Sequence, residues 1–294
     1  MRILSKKQWE YLRLGEYFKG YYFKCSDEYG NGAVALIPAL HTDGKMRSAS
    51  LQVITSGNSY TLPYSEIRFG KKDLRIRIGK NRFCERGIFI DACTDECRIK
   101  GRLVFGRLKR IKYDIMGPFK YIPFMQCRHS VISMKHSVNG SLDINGEVYR
   151  FEDGSGYIEG DKGRSFPKKY IWTQCHFGRG SLMLAVADIP FWGFGFMGIV
   201  GVIILDGKEY RLATYLGARL VNAGNNEVTV RQGEYVFYAK LIHSNQRRLR
   251  APLNGKMTRT IHESVECEAY YRFTCRGKVL MELVGKTASF EYEM

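Results

Sequence analysis

The sequence lacks the patterns that define several common protein classes. It has no zinc-finger spacing, no basic-region helix and no ribonucleoprotein-type aromatic motif, so nothing would hold nucleic-acid bases in register. It also has no Gly-x-Ser-x-Gly elbow, which argues against a serine hydrolase. The first residues contain neither an apolar run with a cleavage site nor a Ser-rich transit segment. We therefore expect a cytoplasmic protein without a signal peptide.

Two further motifs are incomplete. Cys93 and Cys97 are the nearest approach to a metal-binding pair, but no second pair stands at a suitable distance. The glycines of Gly193–Gly198 match a dinucleotide-binding fingerprint, but a β-branched run follows them instead of a helix. We therefore expect no metal and no cofactor, and we expect the eight cysteines to be free thiols in a reducing compartment.

Proline is scarce, with seven residues, whereas there are 31 glycines and 13% aromatic residues. This balance favours many strands joined by tight turns. Asn145-Gly146, Asp206-Gly207 and Arg276-Gly277 each separate two strand-like runs, and the first two are strong hairpin signals. Only Lys6–Tyr17 resembles a helix, with Ser5 as its N-cap.

These features predict an all-β fold with two antiparallel β-barrels, or curved sheets, packed together after a short N-terminal helix. A Gly/Asp/Lys-rich stretch ends at Pro167, and the strand pattern then restarts. We place the domain boundary there, which gives an N-terminal domain of residues 1–165 and a C-terminal domain of residues 166–294.

Positive charge exceeds negative charge: 46 Lys and Arg face 29 Asp and Glu, for a formal net charge of +17. Many basic residues alternate with apolar ones, as in Leu74–Ile78, which is typical of the solvent face of a strand. This face either is simply solvated or contacts an anionic membrane surface. The uncharged run Ile189–Leu205 is better explained by a buried strand pair around a glycine-rich bend than by a membrane span.

The stretch from Glu152 to Pro167 contains four carboxylates within ten residues. In an extended segment Tyr157, Glu159 and Asp161 lie on one face. Carboxyl groups this close resist ionising together, so a buried one stays protonated near neutral pH and can act as a general acid. A solvated acidic turn, or ion pairs with the lysines and arginines that follow, would explain the spacing equally well.

Polar and aromatic side chains flank this acidic stretch. His129 and His136 are seven residues apart and therefore lie on opposite faces of a regular strand, so only one can reach a common pocket unless a bulge intervenes. Trp172 and Gln174 share a face of the strand that follows.

The segment from Tyr121 to Leu220 resembles the tocopherol cyclase family. The residues that carry the resemblance are Pro123–His129, Ser133–His136, Gly156–Pro167, Tyr170–Gln174 and Ala213–Arg219. The family's members cyclise a prenylated quinol without a cofactor, by protonating an alkene that the phenol oxygen then attacks. Related carotenoid hydratases and lipocalin-like homologues imply a fold of two lipocalin-like barrels with the ligand between or inside them.

The homologues' pattern Tyr-x-Asp-His-Asn-x-Gly aligns with Tyr157–Gly163, which makes Glu159 the proton donor. Asp161 stands at the Asn and Gly163 at the closing glycine. Two departures matter: Glu159 replaces Asp, and neither histidine of the hydratase core motif is present, because Ile158 and Gly160 stand in its place. Asp153 or Asp161 could hold the donor's proton in place or accept the phenolic proton, and His129 or His136 could accept the phenolic proton. Aromatic faces would stabilise the carbocation. The predicted catalytic residues are Glu159, Asp161, Asp153, Tyr157, His129 and His136, and the predicted substrate-binding residues are Trp172, Gln174, Tyr170, Phe166, Trp192 and Tyr215.

The resemblance thus implies an intramolecular lyase of the isomerase class, or a hydratase, that acts on a prenylated or lipid-like alkene. Two other functions fit the same sequence. The first is a carrier that binds a lipid or isoprenoid without turnover. The second is a basic peripheral membrane protein with no small-molecule ligand, which predicts salt-sensitive binding to vesicles.

Overall fold

The computed structural model describes residues 15–27, 32–44, 46–122, 125–191 and 194–294, without the side chains of residues 191 and 194. Within these ranges the chain forms two large antiparallel sheets, one from each half. The strands of the first sheet are β1 (Glu16–Ser26), β2 (Ala33–Asp43), β3 (Arg47–Thr55), β4 (Ser59–Tyr64), β5 (Ile67–Phe69), β6 (Arg75–Ile78), β7 (Asn81–Cys84), β8 (Gly87–Cys93), β9 (Arg98–Phe105), β10 (Cys127–Ile144) and β11 (Glu147–Gly163).

The strands of the second sheet are β12 (Tyr170–Phe177), β13 (Gly180–Phe191), β14 (Phe194–Leu205), β15 (Lys208–Ala213), β16 (Arg219–Gly224), β17 (Glu227–Gln232), β18 (Tyr235–Ser244), β19 (Arg247–Leu253), β20 (Lys256–Cys275) and β21 (Lys278–Glu293). Two short 3₁₀ helices, Gly117–Tyr121 and Thr214–Leu216, lie between strands. The all-β fold class is confirmed.

In both sheets a late strand pairs with the first strand. The first sheet runs β4-β3-β2-β1-β11-β10-β9-β8-β7-β6-β5, so β11 lies between β1 and β10. The second runs β15-β14-β13-β12-β21-β20-β18-β17-β16, and β19 pairs with β20 beside this path. The central strands of each sheet therefore include its first and last strands, and these strands and their neighbours β10 and β20 carry most of the residues discussed below.

The three hairpins that the turn dipeptides predict are present. Asn145-Gly146 joins β10 to β11, Asp206-Gly207 joins β14 to β15, and Arg276-Gly277 joins β20 to β21. Both turn residues have positive φ in each hairpin, for example 55° at Asn145 and 88° at Gly146, as a tight antiparallel turn requires. Asn254-Gly255, which the sequence prediction did not use, makes the same kind of turn between β19 and β20, with φ of 49° and 74°.

Neighbouring side chains of the central strands point into different cores. In β11, Tyr157 packs between the two sheets, whereas Ile158 packs in a cluster drawn only from the first sheet. In β12, Trp172 lies between the sheets, whereas Ile171 packs in a cluster drawn only from the second. A sheet that supplies a whole core by itself must curve around it. Each sheet thus encloses its own core, and a third apolar layer joins the two.

Burial along the strands follows from this arrangement. β2 and β12 are buried at nearly every position, because both of their faces are covered. In β6 buried and exposed residues alternate, because one face meets solvent. The arginines of Leu74–Ile78 are on that exposed face, as predicted.

The remaining sequence predictions on architecture have different outcomes. Most of the helix predicted at Lys6–Tyr17 lies outside the described residues, and its last two residues, Glu16 and Tyr17, belong to β1 instead. The predicted boundary after residue 165 lies between the last strand of the first sheet and the first strand of the second, and the division into two domains stays a prediction.

The described residues of the uncharged run Ile189–Leu205 lie in β13 and β14, which pair with each other as expected. The expected burial holds only for part of the run, because Pro190, Gly195 and Phe196 are exposed. In the part of the chain that the structure describes, no helix is long and apolar enough to cross a membrane. All eight cysteines are free thiols.

Candidate active site between the two sheets

A cavity of about 830 Å³ lies between the two sheets. Most of its wall is apolar or aromatic, with side chains from both halves of the chain. Four acidic residues and two histidines interrupt this apolar wall; they are Glu159, Asp161, Glu263, Glu291, His41 and His129. A large apolar cavity with a few converging polar groups is the usual form of a small-molecule site.

Strand β11 brings the predicted acidic residues to this cavity. Tyr157, Glu159 and Asp161 alternate with Ile158 and Gly160, so they project from one face of the strand, as predicted. Glu159 and Asp161 line the cavity, whereas Tyr157 is fully buried beside Glu159. The exposed acidic turn that would also explain the spacing does not form at Glu159, which is only 6% exposed.

Glu159 is held by donors from both sheets. Its Oε2 accepts a hydrogen bond of 2.6 Å from the Tyr157 hydroxyl and one of 3.1 Å from the Trp172 indole N–H. Burial raises the pKa of Glu159 to about 7, even though the nearby His129 and these two donors lower it. Glu159 therefore exchanges a proton near neutral pH, which a general acid requires.

His129 lies between Glu159 and Asp161. Its Nδ1 is 3.0 Å from Asp161 Oδ1, and its Nε2 is 3.4 Å from Glu159 Oε2. Burial alone would lower the pKa of His129, but the two carboxylates outweigh this effect and raise the pKa to about 9. His129 is thus a cation at neutral pH, paired with Asp161 and placed beside the proton donor.

The same three residues have the composition of a metal site. One ligand atom from each of His129, Glu159 and Asp161 lies within 4.8 Å of the other two. Imidazole and carboxylate groups together suit several divalent metals. The ion pair of His129 with Asp161 accounts for the arrangement without a metal.

A second pair of carboxyl groups comes from β20 and β21. Glu263 and Glu291 are directly opposite each other in the register of these strands. The Tyr22 hydroxyl donates a 2.5 Å hydrogen bond to Glu263, and the Tyr170 hydroxyl donates one of 2.5 Å to Glu291. Burial raises the pKa of Glu263 to about 7 and that of Glu291 well above its ordinary value, with repulsion from neighbouring carboxylates adding to both.

Two of the hydrogen bonds that cross between the sheets at the cavity involve its carboxyl groups. Tyr22 of the first sheet donates to Glu263 of the second, and Trp172 of the second sheet donates to Glu159 of the first. The rings of Tyr22 and Trp172 meet edge to face, with their centroids 5.5 Å apart. This exchange of donors fixes the carboxyl groups of both sheets relative to each other.

The structure brings together part of the predicted site. Glu159, Asp161, His129, Trp172, Tyr170 and Phe166 line the cavity, and Tyr157 supports Glu159. His136 lies on the other face of β10, against Phe105 and Ser133, because its odd separation from His129 reverses the face and the two register shifts between them cancel. Only one of the two histidines therefore reaches the cavity.

Four other predicted residues are elsewhere. Asp153 is exposed at the opposite end of β11. Gln174 is buried where it accepts a hydrogen bond from Lys24, and it does not line the cavity. Tyr215 donates to the Ile115 carbonyl, next to a cavity-lining phenylalanine. Trp192 lies outside the described residues.

Sequence reasoning missed Tyr22, Glu263 and Glu291. Glu263 shares its strand parity with Ile261 and Val265, both buried, and an acidic residue in an apolar series was the available signal. No comparable signal marks Glu291. It becomes a cavity residue because β21 pairs with both β12 and β20, a long-range arrangement that local sequence does not reveal.

Comparisons with known proteins agree with the family resemblance. The model of the family described as tocopherol cyclase-like matches residues 73–211. The resemblance to the tocopherol cyclase family is thereby confirmed over a segment that contains His129, Glu159, Asp161 and Trp172. Glu263 and Glu291 lie outside it. No curated protein sequence matches the chain.

Solved structures share the fold at low sequence identity. The crystal structure of CghA with Sch210972 covers 95% of this chain and 89% of its own, with a TM-score of 0.60 and 10% identity. Kievitone hydratase from Nectria haematococca covers 96% of this chain and 90% of its own, with a TM-score of 0.50 and 10% identity. These matches confirm the lipocalin-like architecture of two packed barrels.

Proposed function

We propose that this protein is an enzyme of the lyase or hydratase type that protonates an alkene in an apolar, prenylated or lipid-like substrate. Ring closure by a phenol of the substrate, or addition of water, would complete the reaction. The observation that carries the proposal is Glu159, a buried carboxyl group with a pKa of about 7 on the wall of a largely apolar cavity. The tocopherol cyclase-like family match and the name of kievitone hydratase support the class of reaction.

Glu159 supplies the proton in the first step. The O–H bond of the carboxylic acid breaks, the alkene π bond breaks, and a C–H bond forms, which leaves a tertiary carbocation and a carboxylate. Tyr157 and Trp172 donate hydrogen bonds to Oε2 of Glu159. They stabilise the carboxylate as it forms, which lowers the barrier to proton transfer.

The rings around the donor suit a cationic intermediate. Trp172, Tyr170 and Tyr22 line the cavity beside the acidic groups. An aromatic face attracts a cation within about 6 Å of its centroid, by roughly 2 kcal/mol or more when water is excluded. In the second step a phenol or water oxygen attacks the cation, a C–O bond forms, and the oxygen loses its proton.

His129 prepares Glu159 for the next turnover. As an imidazolium it has a proton on Nε2, 3.4 Å from Oε2 of Glu159. Asp161, bound to Nδ1, orients the ring and stabilises its positive charge. A proton can thus pass from His129 to Glu159 after the donor has been used.

A carrier function is the second candidate, and the cavity itself favours it. The apolar wall would bind a lipid or isoprenoid whether or not chemistry follows. In that case the carboxyl groups would only fix the two sheets to each other. Contact with an anionic membrane and a cytoplasmic location remain predictions for either function.

Product analysis distinguishes the two functions. The wild-type protein, Glu159→Gln and the control Glu152→Gln, an exposed position on the same strand, are incubated with prenylated quinols and with a lipid extract. We expect wild type and control to give a product of unchanged mass for cyclisation, or of mass plus water for hydration, and Glu159→Gln to give none. A co-purifying lipid with no turnover in any form would favour the carrier instead.

A further inference from the structure

The pair formed by Glu263 and Glu291 has no part in the proton donation described above. The two residues face each other across neighbouring strands, a position in which Cβ atoms lie about 5 Å apart. They are 1% and 8% exposed, and both line the cavity. Two carboxyl groups this close and this buried cannot both be charged, so near neutral pH the pair keeps a proton.

No basic side chain neutralises this pair directly. Among the residues that the structure describes, neither Glu263 nor Glu291 is in a salt bridge. Lys24, a buried lysine that lowers the pKa of Glu263, directs its hydrogen bonds to Gln174 and to the Thr287 carbonyl instead. Each carboxyl group is bound by a phenol from one side, which leaves it able to take up a proton on its other oxygen.

We infer that the Glu263–Glu291 pair is the proton acceptor of the reaction, opposite Glu159 as the donor. This inference rests on the proposed function. When the phenol or water oxygen attacks the carbocation, its O–H bond breaks and a new O–H bond forms on the pair's carboxylate. One proton enters the substrate from Glu159 and one leaves to the pair, so cyclisation is balanced as an isomerisation and hydration as the addition of one water.

The position of the pair suits this step. Tyr22 hydrogen-bonds Glu263, and its ring contacts Trp172, which hydrogen-bonds Glu159. Donor and acceptor are thus joined through two side chains but belong to different sheets. A substrate in the cavity can therefore meet the acid with its alkene and the acceptor pair with its hydroxyl group.

The pair also restricts the class of substrate. A ligand with a carboxylate or diphosphate group would place that charge among Glu159, Asp161, Glu263 and Glu291, and His129 is already paired with Asp161. Like charges in a poorly hydrated cavity repel strongly. Arg250 also lines the cavity but belongs to β19. Beside the four acidic residues, a neutral prenylated phenol or alcohol therefore suits the cavity better than a fatty acid or a prenyl diphosphate.

The groups that face the pair decide its pH dependence. They are Tyr22, Tyr170, Glu159, Asp161 and the more distant Lys24. The pair accepts a proton only while it carries a negative charge, so activity should fall at low pH as the pair becomes fully protonated. Replacing one member by glutamine removes its repulsion of the other, so the acidic limb of the rate profile should move to lower pH, which a merely structural role would not cause.

Deuterium exchange separates donor from acceptor. Glu263→Gln and Glu291→Gln are compared with the wild type and with the control Glu282→Gln. Glu282 also accepts a hydrogen bond from a tyrosine of β20, but it is exposed. Each protein is incubated in D₂O with a substrate that the wild type converts. Loss of a general base typically slows turnover by about 10²- to 10⁴-fold. We expect that loss in both pair variants, while recovered substrate still gains deuterium at the alkene, because Glu159 continues to protonate it reversibly.

The outcomes are distinct. Wild-type turnover in Glu263→Gln and Glu291→Gln, or an acidic limb that does not move, would overturn the acceptor role and leave the proposed function intact. Absence of deuterium from both substrate and product with the wild-type protein would instead overturn the proposed function. Glu291→Asp serves as a further variant if a Gln variant folds poorly, because it keeps a carboxyl group on a side chain one methylene shorter. It should restore part of the turnover, and no restoration would count against the inference.

Discussion

The pH dependence of stability provides a quantitative test of Glu159. Its pKa rises from an ordinary value of 4.5 to about 7 in the folded chain. The folded chain therefore binds this proton more tightly than the unfolded chain, and folding is favoured at low pH. This stabilisation is lost as the pH rises from about 4.5 through about 7. Since a tenfold change in proton affinity corresponds to about 1.4 kcal/mol, the loss amounts to roughly 3 kcal/mol.

Glu159→Gln should remove this dependence. Glutamine keeps a carbonyl oxygen for Tyr157 and Trp172 but cannot ionise. The free energy of unfolding is measured with urea at pH 5 and pH 8 for the wild type, the variant and the exposed control Glu152→Gln. We expect the wild type and control to lose stability between these values and the variant to lose roughly 3 kcal/mol less. Equal losses in all three proteins would refute a raised pKa at Glu159.

Four other perturbations also have defined expected results. Tyr22→Phe leaves buried Glu263 without its hydrogen-bond donor and should lower the free energy of unfolding by about 1–3 kcal/mol in urea titrations at pH 7. An unchanged free energy of unfolding would contradict the hydrogen bond between Tyr22 and Glu263. His129→Gln removes the cation that lowers the pKa of Glu159, so the pH at which activity is lost should move upward, and an unmoved profile would contradict the pairing. Chelator treatment should leave turnover unchanged, whereas loss of activity with recovery on adding a divalent metal would assign the cluster to a metal. Arg82→Glu on the exposed basic face should weaken binding to anionic vesicles, and unchanged binding at low salt would exclude that face as a membrane contact.

Local sequence signals were sufficient for much of the fold. The dipeptide at Asn145 predicted a hairpin because positive φ at two successive residues is inexpensive only for a few residue types. Alternation also predicted the shared face of Tyr157 and Glu159, since the strand period of two depends only on the backbone. At Glu16 and Tyr17 a helical pattern was wrong, because pairing with β2 determines the structure there.

The sequence predicts which site residues share one strand, but not which residues of different strands come together. Glu159 and Asp161 were found from a single segment, and His129 was found as one of two alternatives. The register of β10 against β11, which pairs His129 with Asp161, decides which histidine faces the cavity, and local sequence does not reveal this register. Glu263 and Glu291 became neighbours of Glu159 through strand pairing and the packing of two sheets, which involve residues more than 100 positions apart.

The most direct test of the central claim is the fate of one proton. The wild-type protein and Glu159→Gln are given a neutral prenylated quinol in D₂O for a single turnover, and the product is analysed by mass and by deuterium NMR. We expect one deuterium on the newly saturated carbon with the wild type and no product with the variant. A product formed without deuterium at that carbon, or formed equally well by Glu159→Gln, would contradict it.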